Sequence, residues 1–270
     1  MSTDLQAEPG ASRRETLPGK VALVTGAAHE RGIGRGIALV LAERGADVAV
    51  NDLGFEPEAA RRVAEVEALG RRSVFVRADV SHPEENERLV AEVADRLGRL
   101  DIFVANAGIA RWERLDEVRR DSWDLITSVN LHGVLYGCRA AAAQMRRQGN
   151  GGRIVITSSV HAAMPGASLG VYGATKHAVG LLAGVMAREW GSDGISVNHV
   201  GPGWVDTDIN VPSPDFATAD ARDAVRAAIP LGRRPAEPRE IGEAVAYLAE
   251  STYTTGAYLR VDGGMVIGKY

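Results

Sequence analysis

Seven short apolar runs punctuate the chain: Val21 to Val24, Val48 to Asn51, Ser73 to Arg77, Ile102 to Ala105, Gly152 to Thr157, Ile195 to His199 and Tyr258 to Val261. They are rich in Val and Ile and lack strict alternation, the pattern of parallel strands buried on both faces. Between them lie longer Ala/Leu/Arg/Glu stretches with helical spacing. The first ends near Gly45, and others cover Glu58 to Leu69, a stretch beginning near Pro83, Asp116 to Arg147, a stretch through Tyr172 to about Trp190, and Pro238 to Ala249. The alternation predicts an α/β fold with helices on both faces of the sheet. Strand character fades from Asp208 to Pro230, which holds Pro212, Pro214 and an Ala-rich piece. Residues 206–230 therefore read as a substrate lid, with a plain surface excursion as the alternative. The polar residues 1–17 read as a loose tail, and 18–270 as one domain.

The chemistry gathers where strands end. The first strand opens into Thr25-Gly26, then Gly32-Ile33-Gly34-Arg35-Gly36 and a helix. Such a turn cradles a phosphate, because glycines admit close backbone approach while free N–H groups and the helix dipole attract an anion. The second strand ends in Asp52, twenty residues past Gly32, where a carboxylate accepts hydrogen bonds from the adenosine ribose hydroxyls. Asp52 repels a 2′-phosphate and so favours NAD, whereas Arg31 is placed to pair with such a phosphate and keeps NADP open. Asp79, after the third strand, is a candidate for adenine contact or for helix capping. Asn106-Ala107-Gly108 closes the fourth strand with small residues against which a cofactor can lie.

Ser159 closes the fifth strand thirteen positions before Tyr172, and Lys176 follows four residues later on the same helix face. A lysine cation one turn away is expected to favour the phenolate and lower the tyrosine's pKa. Asn130 sits among apolar residues in Ser128-Val129-Asn130-Leu131, and a buried amide there must tie two elements together or position a water.

Composition narrows the function classes. A net charge of -4 with interspersed signs supplies no basic stripe, so nucleic acid is not expected as a partner. The single cysteine, Cys138, excludes an internal disulfide and reads as a packed thiol. The N-terminal residues lack an apolar signal core, and no run of about eighteen apolar residues occurs. The expectation is a cytoplasmic protein without membrane or metal.

Thr25-Gly26…Gly32-Ile33-Gly34, Asn106-Ala107-Gly108, Asn130, Ser159, Tyr172-x-x-x-Lys176, Pro202-Gly203…Thr207 and Val261-Asp262-Gly263-Gly264 together resemble the short-chain dehydrogenase/reductase family, from about Lys20 to the C-terminus. The resemblance implies a Rossmann-type, doubly wound, seven-stranded parallel sheet and NAD(P)-dependent hydride transfer between a secondary alcohol and a ketone. It implies that Tyr172 exchanges the substrate proton and that Lys176 tunes it and holds the nicotinamide ribose. Ser159 would hydrogen-bond the substrate oxygen, and Asn130 would hold a water joining Lys176 to solvent. The implied cofactor-binding set is Gly26, Arg31, Gly32, Ile33, Gly34, Asp52, Asp79, Val80, Asn106, Ala107, Gly108, Tyr172, Lys176, Pro202, Gly203, Val205 and Thr207, the last two at the nicotinamide amide. A homotetramer or homodimer is implied as well. One departure is that five residues, Ala27 to Arg31, separate the first two glycines where the family usually has three.

Ser158-Ser159-Val160-His161, Thr207-Asp208-Ile209-Asn210 and Gly263-Gly264-Met265 look like the corresponding stretches of bacterial glucose 1-dehydrogenases in that family. A sugar or polyol substrate follows as the expectation, with His161 and Asn210 toward its hydroxyls. Trp112, Met164 and Trp204 suit an apolar pocket equally, which keeps a 3-oxoacyl thioester or other carbonyl reductase as the alternative. A non-catalytic NAD-binding regulator is the alternative from another class; such a protein is expected to lose Ser159, Tyr172 or Lys176.

Overall fold

The computed structural model describes residues 15–210 and 218–267. All seven expected strands form: β1 (Val21–Thr25), β2 (Asp47–Asp52), β3 (Ser73–Arg77), β4 (Ile102–Ala105), β5 (Gly152–Thr157), β6 (Ile195–Pro202) and β7 (Tyr258–Val261). They make one parallel sheet in the order β3-β2-β1-β4-β5-β6-β7. The order reverses at β1, where Val24 pairs with Val50 on one side and Val104 on the other. Crossovers leave that point in opposite directions and open a crevice beyond the carboxyl ends of the strands.

Helices α1 (Ile33–Glu43), α2 (Glu56–Ala68), α3 (Pro83–Leu97), α4 (Arg120–Thr127), α5 (Val134–Gln148), α6 (Gly170–Trp190), α7 (Ala219–Ala227) and α8 (Pro238–Glu250) connect the strands. The central strands β1, β2, β4, β5 and β6 are buried on both faces and divide the core in two, while β3 and β7 form partly exposed edges. One half packs Leu89, Val93, Met145 and Val179 of α3, α5 and α6 on the sheet. The other packs Ile37, Leu41, Ile241 and Val245 of α1 and α8.

Three expectations are corrected. The long helix expected over Asp116 to Arg147 begins at Arg120 and is broken by a π-helical segment, Ser128–Gly133, which holds Asn130. A wider turn of this kind reorients side chains within an otherwise regular helix. The loose tail expected through residue 17 does not extend that far: residues 1–14 lie outside the described residues, but Leu17 is buried in the core and Thr16 and Leu17 both donate to the Arg44 carbonyl. Strand β6 also runs on to Pro202, carrying the following loop to the crevice.

Helices α1 and α8 pack in direct backbone contact. A Cβ on Gly36 would lie 2.4 Å from the carbonyl carbon and oxygen of Pro238, so the two backbones meet there. Arg239 pairs with Glu43 and Arg44 with Glu243 and Glu250 across the same seam. Gly36→Ala is therefore expected to destabilise the fold by about 1–3 kcal/mol despite alanine's better helix propensity. Denaturant unfolding measures this, and an unchanged midpoint would contradict the backbone contact.

Candidate active site

A cleft of about 650 Å³ lies at the carboxyl edge of the sheet and runs from the glycine-rich turn after β1 to the loops after β5 and β6. Gly26 takes a left-handed φ of 63°, and a Cβ on it would sit 2.8 Å from the Cα of Ala107. A Cβ on Gly34 would sit 2.4 Å from the Gly26 carbonyl, so these glycines let turn, helix and β4 loop close together. Gly32 caps α1 without any side chain accepting from its first N–H groups, and the first turn carries no acidic residue. Free donors and an unopposed helix dipole facing a cleft fit the diphosphate of a dinucleotide. The extra loop length is absorbed by a turn in which Gly32 N–H donates to the His29 carbonyl. Arg31 then reaches across to Asp206 at 2.7 Å and Asp208 at 3.1 Å.

Asp52 lines the cleft with both oxygens held: Oδ2 accepts from Ala28 N–H at 3.1 Å and Oδ1 from Leu53 N–H at 2.9 Å. Burial pushes its pKa up, and the two backbone donors oppose that by favouring the carboxylate. Asp79 Oδ1 accepts from both the N–H and the hydroxyl of Ser81, so it organises its own loop while lining the cleft with Val80. Asn106 is committed as well, its amide donating to the carbonyls of Thr25 and Gly26. Sequence reasoning missed Thr25, whose hydroxyl accepts from the N–H groups of both Asn106 and Ala107 at 3.0 Å. A threonine closing a buried strand was the available signal.

Ser159, Tyr172 and Lys176 meet beyond β5. Lys176 is 3% exposed, and its ammonium donates to the Thr157 carbonyl at 2.8 Å and lies 5.6 Å from the centre of the Tyr172 ring. Gly108 makes room, since a Cβ there would come within 3.3 Å of Lys176 Nζ and 3.4 Å of Asn130 Oδ1. The expected depression of Tyr172 is not found: burial raises its pKa, and the hydrogen bond with Ser159 works against that rise. Burial also pushes Lys176 down, to about 8, with no carboxylate to offset it. Asn130 is fully buried, accepting from Ile109 N–H at 2.9 Å and donating to the Ile109 carbonyl at 2.8 Å. Its side chain ties the loop after β4 to the π segment, with a longer contact of 3.4 Å to the Thr175 hydroxyl of α6.

The remaining candidates share the cleft. Pro202 at the end of β6 and Gly203, Val205 and Thr207 after it line the cleft, as does Ile33 from α1. The His161 ring packs edge-on to Tyr172 at 6.3 Å, with Nδ1 3.0 Å from the Met164 carbonyl. Asn210 donates to the Val205 carbonyl at 2.8 Å, and Trp204 carries the Arg226 guanidinium of α7 at 5.6 Å. Trp112 also lines the cleft, with its indole N–H buried and without a partner. Residues 211–217 of the expected lid lie outside the described residues. Leu53 and Phe55, unsignalled in the sequence, are half-exposed at the Asp52 end, and Phe55 holds a left-handed φ of 62°.

The buried lysine has a pH consequence. Below pH 8 both the folded and the unfolded chain carry its proton, and the folded state bears the full cost of burying the charge. Between about 8 and 10.5 the unfolded chain binds more protons, so that cost is relieved as pH rises. Lys176→Met is expected to be more stable than the native chain by on the order of 2 kcal/mol at pH 7, the gap closing toward pH 10.5. Denaturant titrations across that range are the check; a gap independent of pH would show that the charge is not what costs stability.

Comparison with known proteins identifies the family. A family model described as enoyl-(acyl carrier protein) reductase matches residues 26–266. L-rhamnose 1-dehydrogenase (NAD(P)+) of Sphingomonas sp. strain SKA58 is 40% identical over 253 residues, covering 93% of this chain and 98% of that protein. A 3-oxoacyl-[acyl-carrier-protein] reductase of Staphylococcus epidermidis is 40% identical over 248 residues, covering 91% and 98%. Among solved structures, a putative short-chain alcohol dehydrogenase from Sinorhizobium meliloti 1021 superposes with a TM-score of 0.87 at 34% identity, covering 93% and 98%. Acetoin dehydrogenase from Enterobacter cloacae superposes with a TM-score of 0.81 at 38% identity, covering 92% and 96%. The chain belongs to the short-chain dehydrogenase/reductase family, oxidoreductases that act on CH–OH or carbonyl groups with NAD(P).

Proposed function

We propose that the chain oxidises a secondary alcohol of a sugar or polyol with NAD, or reduces the matching carbonyl, in the cleft that Tyr172 and Ser159 share. The observation that carries this reading is the meeting of a half-buried phenol, a strand-end hydroxyl and a buried ammonium beside an uncapped helix N-terminus. The cofactor supplies the hydride chemistry; the protein supplies position and electrostatics. Tyr172 takes the substrate's hydroxyl proton in oxidation and returns it in reduction. Its raised pKa keeps it protonated at pH 7 in the free chain, ready to donate to a carbonyl, and oxidation requires the phenolate that Ser159 favours. Ser159 steadies the substrate oxygen as charge develops on it. Lys176 holds the nicotinamide ribose and keeps the Thr157 carbonyl in place.

NAD is favoured by Asp52, which lines the cleft and whose carboxylate would repel the 2′-phosphate of NADP. Arg31, the residue that argued for NADP, is engaged with Asp206 and Asp208. Sugar chemistry is supported by His161 and Asn210 in the cleft and by the L-rhamnose dehydrogenase relative. A second reading, a 3-oxoacyl thioester or other carbonyl reductase, is favoured by the apolar wall of Trp112, Met164 and Trp204. Residues 206–230 serve as the lid in either case, with α7 held to Trp204 through Arg226.

Initial rates with NAD(H) and NADP(H) on aldoses, polyols and 3-oxoacyl thioesters separate the readings. The expected result is turnover on aldoses or polyols, faster with NAD; turnover confined to thioesters overturns the sugar reading. Tyr172→Phe is expected to bind NADH normally and to lose at least about a hundredfold in kcat, within the range for general acid–base groups. Retention of even about a tenth of native kcat would remove Tyr172 from proton transfer.

Assembly into a homotetramer or homodimer in the cytoplasm belongs to the same reading. It is supported by the apolar Leu181 and Val185, which α6 leaves exposed. Light scattering is the check, and a monomeric mass removes it.

A further inference from the structure

Tyr258 is the first residue of β7 and pairs with His199 of β6. Their rings stack, with centroids 4.6 Å apart and planes 10° from parallel. The phenol then runs along β6 over Gly201, where a Cβ would lie 2.2 Å from Tyr258 Oη. Only a residue without a side chain at 201 leaves that path open. The hydroxyl thereby passes β6 altogether and donates to the Ser159 carbonyl at the end of β5, 3.0 Å away. His199 is the shelf beneath it. It is 9% exposed, α6 lies over it so closely that a Cβ on Gly180 would be 3.0 Å from its Cε1, and Nδ1 has no partner. Burial holds its pKa down to about 4, so the ring stays neutral at physiological pH.

This contact completes a series. Three successive residues, the last of β5 and the two that follow it, are fastened by neighbouring elements: the Thr157 carbonyl by Lys176 Nζ of α6, Ser158 by its hydroxyl on the Lys176 carbonyl and its N–H on the Val200 carbonyl of β6, and the Ser159 carbonyl by Tyr258 of β7. The Ser159 carbonyl also accepts from Ala162 N–H, which closes the 3₁₀ turn Val160–Ala162, while Ser159 Oγ accepts from His161 N–H. The peptide that aims the serine hydroxyl is thus held from the chain that follows it and, through Tyr258, from a strand ninety-nine residues away. Neither Tyr258 nor His199 lines the cleft.

We infer that Tyr258, seated on His199 and admitted by Gly201, is a positioning residue that fixes the orientation of Ser159 for its role at the substrate oxygen. The inference rests on the role proposed for Ser159. Tyr258→Phe removes the hydroxyl, and with it the hydrogen bond to the Ser159 carbonyl, and keeps the ring and its stacking. Gly201→Ala keeps the tyrosine and displaces its hydroxyl. Both are expected to lower kcat about threefold to tenfold, as loss of a single positioning hydrogen bond does, with native NADH affinity by fluorescence titration. In a Ser159→Ala background Tyr258→Phe is expected to cost nothing further, because the group it orients is gone. Native kcat in Tyr258→Phe, or an equal loss in both backgrounds, overturns the inference. Native kcat in Ser159→Ala overturns the role of Ser159 and the inference with it. Amide hydrogen exchange decides independently of turnover: Tyr258→Phe is expected to speed exchange in residues 159–163 and not in 102–107, and unchanged exchange in 159–163 overturns the positioning role even if the native chain turns over no substrate in the panel.

Discussion

The burial of one ammonium group organises the site. Lys176 has left water almost completely, and in place of a carboxylate it has the Thr157 carbonyl and the Tyr172 ring, over which its ammonium lies 5.6 Å from the centre. A charge so placed is tolerated only where the surrounding polar groups are fixed. The neighbourhood is built accordingly. Gly108 is kept small against the amine, Asn130 is locked on Ile109 by two hydrogen bonds, and the end of β5 is tied to α6 through Ser158 and the Lys176 carbonyl. The strand end and the helix carrying the phenol therefore behave as one unit, and the serine-to-tyrosine spacing is set by the fold as much as by either side chain.

The other end of the cleft follows a different logic. There the contacts are mostly backbone: the uncapped start of α1, the left-handed Gly26, and the Thr25 hydroxyl gathering the N–H groups of Asn106 and Ala107. Backbone donors suit a diphosphate, which presents the same oxygens in every dinucleotide. Among the side chains lining this end, Asp52 has each carboxylate oxygen held by a backbone N–H. The five-residue loop carries a link from Arg31 to Asp206 and Asp208, joining the glycine-rich turn to the loop after β6. These charges are half-exposed, so the link contributes orientation more than stability.

Where the sequence and the fold diverge, the cause is packing. Strands β3, β4, β5 and β7 match their apolar runs residue for residue, because a short run rich in Val, Ile and aromatic residues leaves a plain compositional mark. The π segment around Asn130 leaves none. It arises where α4 and α5 pass the Val80 backbone, against which a Cβ on Gly133 would come to 2.8 Å. Leu17 resembled the polar residues before it, yet it is drawn into the core beside two hydrogen bonds to the Arg44 carbonyl. Tyr172 and Lys176 were legible as a pair from their spacing. The direction of the tyrosine's pKa was not, because spacing reports proximity and burial reports solvation.

By itself, then, the chain determined the seven parallel strands, the glycine turn, Asp52 at the end of β2 and the order of Asn130, Ser159, Tyr172 and Lys176, since each is written in local periodicity or short spacing. Only the tertiary structure decided how those groups are held. It withdrew Lys176 from water, raised rather than lowered the Tyr172 pKa, turned Arg31 toward Asp206 and Asp208, and ran Tyr258 over Gly201 to the Ser159 carbonyl. These outcomes depend on desolvation and on contacts between residues tens to hundreds of positions apart, quantities that exist only once the sheet is assembled.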